Sequence, residues 1–91
     1  MAIGIYFADG NFPADQYEEA LRRLQAAGAG APPGRTLHVA LETDGGINVF
    51  DIWESQEAFD AFGATLMPIL TELGVNPGTP TFARVHNVIE G

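Results

Sequence analysis

Cysteine and lysine are both missing from this sequence. Without thiols there is no disulfide, no zinc-thiolate site and no iron–sulfur cluster. With neither residue available, a covalent nucleophile would have to be a serine or threonine, and Ser55 is better placed to cap a helix. Positive charge is scarce: Lys and Arg together number 4 against 12 acidic residues, for a formal charge of −8. Such a surface repels phosphate backbones and anionic lipid, so neither nucleic acid nor membrane is expected as a partner. The acidity reads instead as a solubility device. Long apolar runs are absent as well. Met1-Ala2-Ile3-Gly4-Ile5-Tyr6-Phe7 carries no basic flank and is too short to span a bilayer, so neither signal peptide nor anchor is expected, and the expected location is cytoplasmic.

Nearly half of the 91 residues are hydrophobic, 46% of the chain. That is enough for one folded domain over residues 1–91. A chain of this length buries roughly 60–65% of its unfolded surface, so its core is thin and a second copy would add to it.

The hydrophobic pattern changes period along the chain. Residues 3–7 form a β-rich run, bounded by the turn formers Asp9-Gly10-Asn11. Pro13-Ala14-Asp15 is a helix start. Tyr17, Ala20, Leu21, Leu24 and Ala27 follow as one apolar stripe, and Gly28 is placed to end the helix. The connection Gly28-Ala29-Gly30-Ala31-Pro32-Pro33-Gly34 is glycine-rich but follows a helix and precedes a strand. That is the wrong order for a phosphate-binding loop. Residues 36–42 and 47–53 are strand-like and flank Asp44-Gly45, a strong hairpin signal. Ser55 is a helix N-cap with Glu57 in the first turn. Ala58, Phe59, Phe62, Leu66, Ile69, Leu70 and Leu73 mark a second amphipathic helix, with Gly74 at its end and Pro68 expected to kink or restart it. After a turn at Asn76-Pro77-Gly78, residues 81–89 are expected to form the last strand.

The element order β-α-β-β-α-β is that of the ferredoxin-like α+β fold, a four-stranded antiparallel sheet ordered 4-1-3-2 with both helices on one face. Both faces of the central hairpin carry apolar groups. Leu37, Val39, Leu41, Phe50 and Ile52 share one face; Ala40, Ile47, Val49 and Trp53 share the other. Helices cover only one of them, so the remaining face predicts a homodimer through the sheet.

A hairpin loop of two or four residues makes pairing partners sum to 89. His38 then lies across from Asp51, Glu42 from Ile47 and Thr36 from Trp53, whereas a three-residue loop shifts the sum by one and breaks this pairing. An imidazole beside a carboxylate is an acid–base unit whose tautomer the carboxylate fixes; it also suits a satisfied pair in a half-buried sheet. His86 is the second candidate for moving a proton, on one strand face with Arg84, Phe82 and Val88. Trp53 and Tyr6 are candidates to shape a pocket, Trp53 by stacking on a flat ligand or by filling core. Tyr17 offers a further hydroxyl. Arg84 is positioned to meet an anionic group or to pair with a carboxylate. His38 and His86 lie on opposite edge strands, roughly 14 Å apart across three strand spacings, so no metal site is expected from them.

The stretch Val49-Phe50-Asp51-Ile52-Trp53-Glu54-Ser55-Gln56-Glu57-Ala58-Phe59 runs from strand to helix through Trp-Glu-Ser. It resembles the dimeric α/β-barrel superfamily, which includes the antibiotic-biosynthesis monooxygenase-like proteins. Val85-His86-Asn87-Val88 is similar to the last strand of a small uncharacterised branch. The resemblance implies a homodimer whose sheets close into a barrel, with a small-molecule pocket in each subunit. It includes cofactor-free oxygenases of polyketide quinones and haem-degrading enzymes. The haem degraders typically carry a histidine on the helix after the Trp strand. Here that stretch reads Ser55-Gln56-Glu57-Ala58-Phe59-Asp60-Ala61-Phe62, so haem is not expected, and no cofactor is. The function implied is a small-molecule enzyme, an oxygenase, cyclase or isomerase working on an aromatic or polyketide-like compound. The alternative is a non-catalytic dimeric ligand-binding or interaction module. In the enzyme, His38 or His86 moves a proton, Asp51 orients it, Tyr6 and Trp53 shape the pocket, and Arg84 binds substrate.

Overall fold

The computed structural model describes residues 2–8 and 11–91. Asp9 and Gly10 of the expected first turn lie outside the described residues. The elements run β1 (Ile3–Phe7), α1 (Ala14–Ala26), β2 (Arg35–Thr43), β3 (Gly46–Trp53), α2 (Gln56–Leu73) and β4 (Thr81–Arg84). They form a four-stranded sheet ordered β2-β3-β1-β4, antiparallel at every pairing. This is the ferredoxin-like arrangement that the element order implied.

Local chemistry sets the element ends. Pro13 caps α1 from an extended conformation, its carbonyl accepting from the Tyr17 amide at 3.0 Å. Gly28, with φ of 79°, takes the left-handed turn that a Cβ would resist. The Ser55 hydroxyl accepts from the Ala58 amide at 3.1 Å and caps α2, and Gly74 closes that helix at φ 71°. Pro68 lies inside α2, which continues through it to Leu73 without a restart. The missing amide would have served the Ala64 carbonyl, and Ala64 is exposed, so that carbonyl is open to solvent.

The hairpin follows the expected register from Leu37↔Ile52 to Thr43↔Gly46, with the Thr43 hydroxyl donating to the Gly46 carbonyl at 2.6 Å. It departs at the start of β2. Arg35, not Thr36, pairs with Trp53, and the register shifts between Arg35 and Leu37. Thr36 is the extra residue of a bulge, its hydroxyl donating to the Ile52 carbonyl at 3.3 Å. The bulge reverses the alternation, so Arg35 joins the helix-facing side on which Leu37's partners would not have placed it.

Ile5 and Trp53 are fully buried between sheet and helices, with Leu24 from α1 and Phe62 from α2 against them. Burying each such side chain contributes roughly 1.5–3 kcal/mol. A second cluster, Ala20, Leu70 and Val75, closes the far end of the helix pair. The last strand is shorter than expected. It ends at Arg84, and the Val85 amide donates to the Ala2 carbonyl at 3.0 Å, just outside β1. Residues 86–91 continue without strand pairing, and Val88 and Ile89 are exposed.

Candidate functional site

Between the two helices and the sheet lies a cavity of about 350 Å³. Its walls are apolar: Leu21 and Leu24 from α1, Val49 from β3, and Phe59, Phe62 and Leu66 from α2. Polar groups gather on the wall shared by α1, β2 and β3, where Tyr17, His38 and Asp51 face it. A concave apolar site with a few convergent polar groups is the usual form of a small-molecule pocket.

Those polar groups are hydrogen-bonded in a chain. His38 Nδ1 and Asp51 Oδ1 are 2.6 Å apart, and His38 Nε2 and the Tyr17 hydroxyl are also 2.6 Å apart. The indole N–H of Trp53 donates to Asp51 Oδ2 at 3.2 Å. Asp51 is 4% exposed, and in that nearly dry place each of its carboxyl oxygens has a hydrogen-bond partner. No buried side-chain nitrogen or oxygen among the described residues lacks a partner. The Tyr17 and His38 rings have parallel planes with centroids 6.0 Å apart, and Phe12 packs edge-on against Tyr17 at 5.6 Å. Burial raises the Tyr17 phenol above its ordinary value of 10.0; Glu18 and Asp51 push the same way, and Arg35 opposes them. Tyr17 is therefore a neutral hydroxyl at physiological pH.

Arg35 brings a cation to the cavity wall. Its guanidinium lies 5.9 Å from the Phe62 ring centroid and donates to the Gly30 carbonyl at 3.3 Å. At the mouth, the Asn11 amide donates to the Asn76 carbonyl at 2.7 Å, tying the segment before α1 to the turn after α2. The Phe12 carbonyl accepts from the Ile47 amide at 2.8 Å. A Cβ on Gly46, whose φ is 122°, would come within 2.8 Å of that carbonyl oxygen.

The structure brings His38 and Asp51 together in the expected register and places both on the cavity. Trp53 is fully buried behind the wall, its ring against Phe59 at 5.6 Å and Phe62 at 5.3 Å. Tyr6 is elsewhere. It alternates with the core residue Ile5, so it points to the opposite sheet face, where its hydroxyl accepts from Asn48 at 3.2 Å. Arg84, at the end of β4, pairs with Ile3 of β1 and does not line the cavity. His86 lies past the end of β4, exposed, and shares no strand face with Arg84. His38 and His86 flank opposite edges of the sheet, and no metal-binding cluster occurs among the described residues. Sequence reasoning missed Phe12 and Arg35 and gave Tyr17 too small a part. Tyr17's place in the apolar stripe of α1, one turn before Ala20 and Leu21, was the available signal. For Arg35 there was none, because the bulge that turns it inward leaves no mark in the alternation.

No protein-family model matches the sequence, and no curated protein does. Solved structures do match. A protein from Chloroflexus aurantiacus assigned as an antibiotic biosynthesis monooxygenase superposes with a TM-score of 0.64 at 13% identity, over 99% of this chain and 98% of that one. A protein so assigned from Deinococcus radiodurans gives 0.62 at 16% identity, over 99% and 97%. SnoaB, a cofactor-independent oxygenase from Streptomyces nogalater, gives 0.61 at 17% identity, over 99% and 95%. The structural neighbours of this chain are thus antibiotic biosynthesis monooxygenase-like proteins, and it shares their ferredoxin-like α+β fold.

Proposed function

We propose that the cavity between helices and sheet is the active site of a small-molecule oxygenase that takes a flat, apolar, aromatic compound with an ionisable hydrogen. The observation that carries this reading is the hydrogen-bonded Tyr17–His38–Asp51 chain facing a largely apolar cavity of about 350 Å³. The fold shared with a cofactor-independent oxygenase supports it. In an apolar cavity an aromatic substrate loses a proton to the Tyr17–His38 pair, and the imidazolium that results is stabilised by the buried Asp51 side chain. The resulting carbanion or enolate is electron-rich enough to react with dioxygen. For an anthrone, a C–O bond forms at the methylene carbon, the O–O bond breaks, one oxygen stays as the carbonyl and the other leaves as water with both hydrogens. Dioxygen is the sole oxidant in that balance.

The uncovered sheet face suits a second copy of the chain. Leu37 and Leu41 are 41% and 46% exposed there, beside Val39 and Phe50. A homodimer through this face would close two sheets into one barrel and leave the two cavities on its outer, helical sides.

Aerobic incubation with anthrone tests the chemistry, read as anthraquinone absorbance. Wild-type protein should accelerate oxidation, and His38→Ala should lower kcat by about a hundredfold or more. An equal rate with and without protein, alongside measurable binding of the anthrone, would favour a binding module instead.

A further inference from the structure

With His38 as the neutral imidazole and Asp51 as the carboxylate, counting donors along the polar chain gives its direction. An indole nitrogen only donates, so Asp51 Oδ2 is an acceptor. A carboxylate has no proton of its own to give, so in that state His38 Nδ1 carries the hydrogen of the 2.6 Å contact. In a neutral imidazole the other nitrogen is then a bare acceptor. The single proton on Tyr17 must point at His38 Nε2 across 2.6 Å. The Tyr17 oxygen is left with lone pairs and no proton to offer, and Tyr17 faces the cavity. The contact also occupies the one basic position of His38, so nothing in the cavity reaches that nitrogen without displacing the phenol.

We infer that Tyr17, rather than His38, is the catalytic residue that meets the ligand, and that it selects ligands carrying a hydrogen-bond donor, such as a phenol or enol hydroxyl. The inference rests on the cavity being the ligand site. It assigns His38 to act through Tyr17. As the ligand O–H bond breaks, its proton passes to the Tyr17 oxygen and the Tyr17 proton passes to His38 Nε2. The ligand becomes an anion, the imidazole becomes an imidazolium beside Asp51, and Tyr17 ends as it began. The parallel His38 ring and the edge of Phe12 hold the phenol in place for this exchange.

Calorimetric binding of 2-naphthol and naphthalene separates this assignment from the oxygenase reading, because it needs no turnover. Wild-type protein should prefer 2-naphthol about tenfold, the worth of one hydrogen bond. Tyr17→Phe should bind both equally, keep its affinity for naphthalene, and also lose anthrone turnover by about a hundredfold. His38→Gln, whose amide can still accept from Tyr17, should keep the naphthol preference while losing turnover. A Tyr17→Phe protein that retains the preference, or turns over faster because Nε2 is uncovered, would overturn the assignment. Intact preference without any turnover in the wild type would instead sink only the oxygenase. Failure of both compounds to bind would remove both.

Discussion

Asp51 carries the strictest requirement in the molecule, because both of its partners are donors. An amide in its place offers one acceptor and one donor. Asp51→Asn must therefore either set an N–H against the Trp53 indole or set one against His38. The first leaves a buried donor unsatisfied and costs about 1–3 kcal/mol. The second forces the other imidazole tautomer, so His38 donates from Nε2 to Tyr17 and the Tyr17 proton turns into the cavity. Urea unfolding should show a stability loss of that size, and the ring-nitrogen shifts of His38 should report the tautomer. Binding should then favour an acceptor such as 2-acetylnaphthalene over 2-naphthol. Tyr17 adds a pH signature. Burial raises its folded-state value above 10.0, so the unfolded chain releases the proton first as pH rises. The stabilisation is fully present below about 10 and is lost as pH climbs through the raised folded value. Alkaline unfolding should show the stability gap between wild type and Tyr17→Phe narrowing above pH 10, whereas a constant gap would remove the burial from this account.

At the scale of elements, the hairpin turn positions the site twice over. It sets the register that puts His38 opposite Asp51, and its Gly46 backbone leaves room for the Phe12 carbonyl that holds the cavity mouth. Gly46→Ala meets that oxygen at 2.8 Å and strains a φ of 122°. The cost should reach at least about 1 kcal/mol by chemical denaturation, with amide exchange at Ile47 faster than in the wild type. These elements also show what sequence reveals. The Asp44-Gly45 turn, the Ser55 cap and the Gly28 and Gly74 stops are local signals, and local chemistry decides them. The His38–Asp51 contact was legible because a turn of two or four residues centred on Asp44-Gly45 fixes every pairing above it. That logic failed at Thr36, where the bulge is imposed by tertiary packing: the Glu54 amide takes the Gly34 carbonyl at 2.7 Å and Arg35 settles over Phe62. It failed again at His86, since strand propensity cannot reveal that the neighbouring strand has ended. Tyr17 was visible as a stripe residue, but its hydroxyl found His38 only through the packing of α1 on the sheet.

For the whole molecule, the distribution of charge matters more than its total. No helix among the described residues is long and apolar enough to cross a membrane. Gly4, Tyr6, Leu37, Val39, Leu41, Asn48, Phe50, Ile52, Thr81 and Ala83 alternate onto the sheet face away from the helices, and none is charged. All of the −8 formal charge is carried elsewhere. Two copies meeting through that face bury apolar surface without desolvating an ion, while their surrounding acidic surfaces repel each other at longer range. A standard stable contact buries about 800 Å² from each partner. Sedimentation equilibrium at micromolar concentration should therefore give twice the 9.7 kDa chain mass. Raising the salt from 0.05 to 0.5 M should tighten the dimer, because screening weakens the repulsion and leaves the apolar contact intact. Leu41→Glu should weaken it by tenfold or more, by placing a carboxylate in the apolar contact, while the cavity on the helical side keeps its affinity for 2-naphthol. A 9.7 kDa particle at every salt concentration would mean that the uncharged sheet face is covered by something other than a second copy.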